Sequence, residues 1–396
     1  MQTTTDNTTK KFRIPTLTAI LNYIDANWHY PRAEKRDLRL DLLRGFAVFV
    51  MVVDHFGGTS WLYLISGNNS FFTSGAEAFV LISGMVVGIV YGGIAQRDGL
   101  PAAITKALQR AWTLYKLTIV MTLLFAVISD IFDLPWAQGF EIGDPIQFFI
   151  NVVLLRQTYY LADIPLLYTL LMATAPIGLW LLHTKRTGVL HVLSFMLWLG
   201  YQYLDSQKII VMPIVGNTVF HPAAWQLFFF WAMAVGYHRE KIWKRIGQFP
   251  RWPYFLLATL LFVWLLHLYV SETNALTRLY GMDMQTIKSI LFNKSNVSPG
   301  RILATVIVFQ FGYLLLTFFW SPFQQAFGWL LMPLGQNSLY SYTMHVVIIG
   351  TFYVLLPYLP GNITEHGIIN TSLQFGVLFL LWWLIRRQFA FDIVPR

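Results

Sequence analysis

The chain has 396 residues, of which 56% are hydrophobic and only 12% charged, against about 25% charged in an ordinary soluble domain; the deficit points to a membrane rather than to a large water-soluble core. The net charge of +9 does not indicate nucleic acid, because the lysines and arginines gather at the ends of apolar runs, where lipid headgroups and the preference for positive cytosolic loops account for them. The chain contains no cysteine, which excludes disulfides, thiolate zinc sites and a cysteine nucleophile.

Residues 1–36 are polar and mixed in charge, with Pro15 and Pro31 interrupting any long helix. They read as a cytosolic tail with a short interfacial helix over 17–28, and lack the apolar centre of a signal peptide. From 37 to 396 a single transmembrane domain is expected, since no repeat, low-complexity tract or linker divides it. Against the roughly 20 residues needed to cross a bilayer, spans are expected near 40–60, 72–94, 107–128, 164–183, 188–204, 222–238, 253–271, 302–320, 334–357 and 368–386. A further apolar piece, 146–160, is short and contains Arg156. If it does not cross, Lys185 with Arg186, the HREKIWKR loop at 238–245 and Arg386 with Arg387 all fall on the side of the basic tail; if it crosses, all of them flip outward. The expected fold is therefore all-α and polytopic, with about ten transmembrane helices plus a short re-entrant or interfacial helix, and with both termini cytosolic.

The first span carries the chemistry. Residues 42–56 read LLRGFAVFVMVVDHF, an apolar run that nevertheless holds Arg44, Asp54 and His55. Ionisable groups at such depth are costly and are usually kept for function. Arg44 and His55 are eleven residues apart, so on a helix they differ by only about 20° in direction and about 16 Å in height. Asp41 falls within about 40° of the same line. Asp54 points about 100° away from His55 and is a poorer partner for it. Glu77 opens the next span, which returns toward the tail side, and should reach the depth of His55.

An arginine, ten residues and a histidine on a first span, followed by AEAFVLISG, resembles the transmembrane acyltransferase superfamily. Within it, RDLRLDLLRGFAVFVMVVDH, SGAEAFVLISGMVVGIVYG and HPAAWQLFFF are most similar to the OpgC-type membrane proteins, named for succinylation of osmoregulated periplasmic glucans. The likeness runs from about Arg36 to the last span. Two positions depart from it: Ser74 stands where an aspartate is expected, and His221 where an asparagine is expected before Pro222.

The resemblance implies that His55 takes the proton from an acceptor hydroxyl or carries the acyl group itself, while Glu77 orients its ring. It places Arg44, Asp41 and Ser83 on the donor side, with Arg44 suited to the phosphates of an acyl-coenzyme A. A pantetheine arm of order 16 to 20 Å is comparable with the rise of about 16 Å from Arg44 to His55. The implied reaction moves a succinyl or acetyl group from cytosolic acyl-coenzyme A to a hydroxyl of an extracytoplasmic glycan. Its setting is a bacterial inner membrane, with lipids as surroundings, no metal and no nucleic acid; a homo-oligomer is compatible with it.

Other positions carry weaker signals. NSLYSYTMH places Tyr340 and His345 on a late span, in a YxxxxH pattern that resembles the corresponding motif of membrane acyltransferases and would put both residues near substrate. Five residues separate them, about 140° around a helix, so they do not share a face, and a packing serine with a hydrogen-bonded histidine is the plain alternative. Gln226 in HPAAWQ begins a span on the outer side and is a candidate acceptor contact, beside an interfacial Trp225. Arg156, Gln157 and Asp163 either line an outer vestibule or pair Arg156 with Asp163. Asp54 is a candidate for the substrate side as well. No histidine spacing suits a metal. A different class of function, a proton-coupled transporter or lipid-linked glycan flippase, would use the polar stripe as a substrate path; such folds tend to show internal repeats, and coenzyme A would stabilise the enzyme but not the carrier.

Overall fold

The computed structural model describes residues 16–31, 36–134, 136, 141–209, 211–248, 251–271, 273–359 and 361–396. Residues 1–15 and 32–35 of the expected tail lie outside the described residues. Among those described, the regular structure is helical, and the sole pairing of extended backbone is an isolated bridge between Gln157 and Val215.

In chain order the helices are α1 (Leu17–Asn27), α2 (Leu38–Phe56), α3 (Tyr63–Ser66), α4 (Gly75–Arg97), α5 (Leu100–Phe132), α6 (Pro145–Val153), α7 (Asp163–His183), α8 (Thr187–Ser206) and α9 (Pro222–Tyr237). After them come α10 (Arg239–Ile246), α11 (Arg251–Val270), α12 (Ala275–Tyr280), α13 (Met284–Leu291), α14 (Pro299–Phe318), α15 (Trp320–Gln336), α16 (Ser338–Leu355) and α17 (Gly367–Arg386). Seven of these segments are long and apolar enough to cross a membrane: α4, α5, Tyr160–His183, α11, α14, Ser338–Tyr358 and α17. The chain is thus a multi-pass membrane protein by composition and length. The expected spans at α2, α8 and α9 fall outside that set. Helix α2 carries Arg39, Asp41, Arg44 and Asp54, and α9 has only 16 residues.

Two segments depart from a simple reading of hydropathy. The expected run 334–357 is divided at Asn337, and the residues before it form α15, which was not expected as a helix. Both ends of α15 lie at the Arg44 end of α2. Ser321 N donates to Trp28 O at 3.2 Å, next to the point where Arg39 holds Thr317 at 2.7 Å, while Gly335 packs on Asp41. Helix α6 has nine residues, about 14 Å of rise, too short to cross, and it leaves Ile146, Phe149 and Ile150 exposed. The chain then turns through Leu155, at φ 55°, before Arg156.

Helix packing in lipid relies on small residues that let backbones approach. A Cβ on Gly45 would stand 1.9 Å from Leu331 O and one on Gly335 1.8 Å from Asp41 O, which seats α15 against α2. Gly88 and Gly236 do the same between α4 and α9, each 2.0 Å from a carbonyl of the other helix.

The two ends of α2 are pinned differently. At its start Asp37 caps the helix and grips Arg39 through Nε and Nη2 at 2.9 and 2.8 Å. The Arg39 guanidinium lies between the rings of Tyr30 and Tyr313 at 4.3 and 4.2 Å. At its end the carbonyls left without helical partners are met by other helices. Tyr353 OH donates to Phe56 O at 2.6 Å, Asn370 Nδ2 to Gly57 O at 2.8 Å and Gln374 Nε2 to Val53 O at 3.2 Å. Helices α16 and α17 are thereby fastened around the residue of interest, His55.

Candidate active site

His55 Nδ1 lies 3.0 Å from Nε2 of His345 on α16, with the two rings stacked at 5.2 Å and tilted by 23°. His345 Nδ1 lies 3.3 Å from the carbonyl of Ser341. A carbonyl only accepts, so His345 carries its proton on Nδ1 and offers a bare Nε2. That nitrogen accepts from His55 Nδ1–H, which leaves the Nε2 of His55 unprotonated and without a hydrogen bond among the described residues. The chain of two rings and one helix carbonyl thus selects the tautomer in which His55 is a base. His345 is fully buried, and its Nε2 faces His55 Nδ1. The 140° between Tyr340 and His345 is realised as well, because Tyr340 turns the other way and donates to Phe389 O at 2.7 Å, which ties down the C-terminal segment.

His55 opens onto a small cavity of about 20 Å³, with Asp54, Asn69, Ser74, Phe220 and Lys294 also in its wall. Asp54 accepts from Ser66 Oγ at 2.6 Å and from Asn69 N at 3.2 Å, so it organises the loop after α2 and faces the same space. Lys294 lies on the loop before α14 and donates to Asn69 Oδ1 at 3.4 Å.

Glu77 does not orient the imidazole. Its Oε1 takes Arg301 Nε at 2.5 Å, and its Oε2 takes both the backbone N and the hydroxyl of Ser74, at 2.8 and 2.6 Å. Glu77 is fully buried and Arg301 nearly so, and Arg301 reaches further to Phe292 O at 2.9 Å. The carboxylate therefore joins α4 to α14 and opens α4 with a capping box. Ser74 suits this arrangement, because a hydroxyl donates to Glu77 where an aspartate would set a second carboxylate against it. His221 likewise does the work of an asparagine: its Nδ1 accepts from Ala223 N at 3.3 Å, capping α9, and its Nε2 donates to Val211 O at 2.8 Å.

A second, larger cavity of about 280 Å³ lies at the Arg44 end. Arg44, Ser83, Tyr91, Arg110, Tyr168 and Tyr342 are among its lining residues. Arg44 makes no hydrogen bond or ion pair among the described residues, and its Nε is buried. Asp41, expected beside Arg44 on the donor side, is engaged elsewhere: Arg36 Nη2 and Nε reach its two oxygens at 2.8 and 2.7 Å. Arg110 joins Arg44 in the same wall, a pairing that no spacing could reveal because the two lie on different helices, α5 and α2. Ile164 borders both cavities.

Two sequence candidates stand apart. Gln226 is buried between α8 and α9, where its Oε1 accepts from Ser194 Oγ at 2.6 Å and its Nε2 donates to Ser194 O at 2.8 Å; it holds helices together rather than facing either cavity. Arg156 is exposed and, among the described residues, forms no ion pair with Asp163, which is buried. Lys294 and Arg301 carried no signal at all in the sequence, since loop lysines and helix-start arginines are ordinary in membrane proteins. Among the described residues no group of three histidine, cysteine, aspartate or glutamate side chains could hold a metal ion.

Among known proteins, a family described as OpgC protein matches residues 36–388. No curated protein and no solved structure matches the chain.

Proposed function

We propose, from the fact that the chain belongs to the OpgC protein family, that it is a membrane acyltransferase moving a succinyl or acetyl group from cytosolic acyl-coenzyme A to a hydroxyl of a glycan on the far side of a bacterial inner membrane. In this reading the chain crosses ten times, through α2, α4, α5, α7, α8, α9, α11, α14, α16 and α17. The Arg44 end and both termini are cytosolic, where Lys185, Arg186, Arg239 and Arg386 also gather.

The observation that carries the reading is the His55 ring, which borders a cavity and whose Nδ1 is held by His345 while its Nε2 is left free. The acceptor hydroxyl gives its proton to this nitrogen as its oxygen attacks the thioester carbonyl. The imidazolium so formed has Nδ1–H aimed at the bare Nε2 of His345, a hydrogen bond that strengthens when the donor is charged. His345 thus takes the part that a carboxylate takes in a serine hydrolase triad. When the thiolate leaves, His55 returns the proton to it.

On the donor side the guanidiniums of Arg44 and Arg110 match phosphate oxygens, and an anion there would meet the hydrogen-bonding capacity that Arg44 lacks. The cavity of about 280 Å³ is at the small end for ligand sites, so it would hold the phosphate-bearing part of the donor while the arm passes Ile164 toward His55. The test is acyl transfer by His55→Ala in a purified, folded protein: a fall of about 10²–10⁴-fold is expected for loss of a general base, and wild-type turnover would refute the assignment.

A further inference from the structure

We propose that Lys294 is a catalytic residue of this reaction, its ammonium stabilising the oxyanion that forms when the acceptor hydroxyl attacks the thioester carbonyl. The inference rests on the acyltransferase reading and names the electrostatic partner that reading lacks.

Lys294 and His55 border one cavity of about 20 Å³, space for about one water-sized group, so a single occupant meets both. The other polar groups in the wall have their bonds assigned. Asp54 accepts from Ser66 and from Asn69 N, the Ser74 hydroxyl donates to Glu77, and Asn69 Oδ1 accepts from Lys294. An ammonium has three N–H donors, and only this one long bond of 3.4 Å uses any of them among the described residues. Nor, among the described residues, does any carboxylate lie within 4.0 Å of Nζ; Glu77 is paired with Arg301 instead. The ammonium lies over the ring of Phe220, with Nζ 5.6 Å from its centroid. The cavity therefore carries one free base and one cation with spare donors, the two functions that an addition to a carbonyl requires.

The charges balance as follows. As the hydroxyl oxygen bonds to the carbonyl carbon, its proton passes to His55 Nε2 and the carbonyl pair moves onto oxygen, beside the ammonium. The pair then returns, the carbon–sulfur bond breaks, and the thiolate takes the proton from His55. Lys294 keeps its own proton throughout.

The groups that act on Lys294 are Asp54 and His55 from α2, Glu77 from α4, Asp163 from α7 and Arg301 from α14. Burial holds the ammonium below the usual lysine range, while Glu77 pulls in the opposite direction. Since the charged form is the active one, turnover should fall as pH rises through this lowered value.

The experiment uses the full chain in lipid nanodiscs, with succinyl-coenzyme A and acetyl-coenzyme A as donors and a glucose oligosaccharide as acceptor. Lys294→Met is expected to lower kcat by about 100-fold or more, with KM for donor and acceptor unchanged and thermal stability retained. Lys294→Arg is expected to keep part of kcat and to shift the alkaline fall in rate upward, because a guanidinium does not deprotonate in this range. Wild-type kcat in Lys294→Met, a loss confined to KM, or an unmoved alkaline limb in Lys294→Arg would each overturn the proposal; if Lys294→Met does not fold, the pH profile of Lys294→Arg decides alone. A wild-type protein that transfers neither acyl group would sink the acyltransferase reading itself, a distinct result.

Discussion

At the His55 end of α2 both rings of the histidine pair are locked by hydrogen bonds down to a helix carbonyl, and the open space is about 20 Å³. At the Arg44 end the space is about 280 Å³, and the guanidinium facing it has no partner among the described residues. Preorganised donors and bases lower a barrier because they need not rearrange when charge moves. An unpaired buried cation, by contrast, is costly as it stands and becomes favourable only when an anion arrives. In the proposed reading one end of the helix serves the chemistry and the other the binding, and Ile164 borders both cavities. Substitutions at the two ends should therefore separate kcat from KM.

The largest effect is expected from the ion pair that supports the chemical end. Arg301→Met or Glu77→Gln strands a buried partner and should cost about 3–5 kcal/mol of stability, read by thermal unfolding in detergent. The double change Glu77→Leu with Arg301→Met should recover much of that loss, and if it did not, the pair would be serving more than the fold. Next, His345→Phe keeps a buried ring but removes the acceptor for His55 Nδ1–H. A fall of about 10–100-fold in kcat is expected, in line with losses when the partner that orients a functional histidine is removed, while the donor KM stays put.

At the binding end the signature reverses. Arg44→Ala and Arg110→Ala should each raise the KM for acyl-coenzyme A by about tenfold, the worth of one charge-assisted contact, and leave kcat nearly unchanged. They should also reduce the thermal stabilisation that coenzyme A gives the wild type. Equal losses of kcat and KM at both ends would erase the distinction between them. The smallest effect on catalysis belongs to Gln226→Leu, which severs the link from α9 to Ser194. A cost of about 1–3 kcal/mol in stability is expected from the unpaired hydroxyl left behind, with no change in acceptor KM; a raised acceptor KM would return Gln226 to the site.

Much of the architecture was open to inspection in the residues themselves. Most helices lie within a few residues of their expected apolar runs, as α7 at Asp163–His183 against 164–183 illustrates. Helix α15 escaped because its three glutamines, two prolines and scattered aromatics give no clear apolar run. What binds it to α2 is the backbone approach at Gly45 and Gly335, which hydropathy does not register. The site was half legible. The stripe from Arg44 to His55 follows from helical geometry within one element. Glu77 was placed at the right depth but given the wrong neighbour, since depth along a span does not say which side chain across the bundle will meet it.

The sequence alone determined that this is a helical membrane protein with an arginine and a histidine one above the other on its first long helix, because apolar length and periodicity are local properties that survive any packing. Only the tertiary structure decided that His55 leans on His345, 290 residues away, that Glu77 answers to Arg301, 224 residues away, and that Arg110 and Lys294 complete the two cavities. These partners come from helices whose adjacency is set by close packing of small residues across the bundle, and the order of residues along the chain does not encode that adjacency in any pattern of spacing.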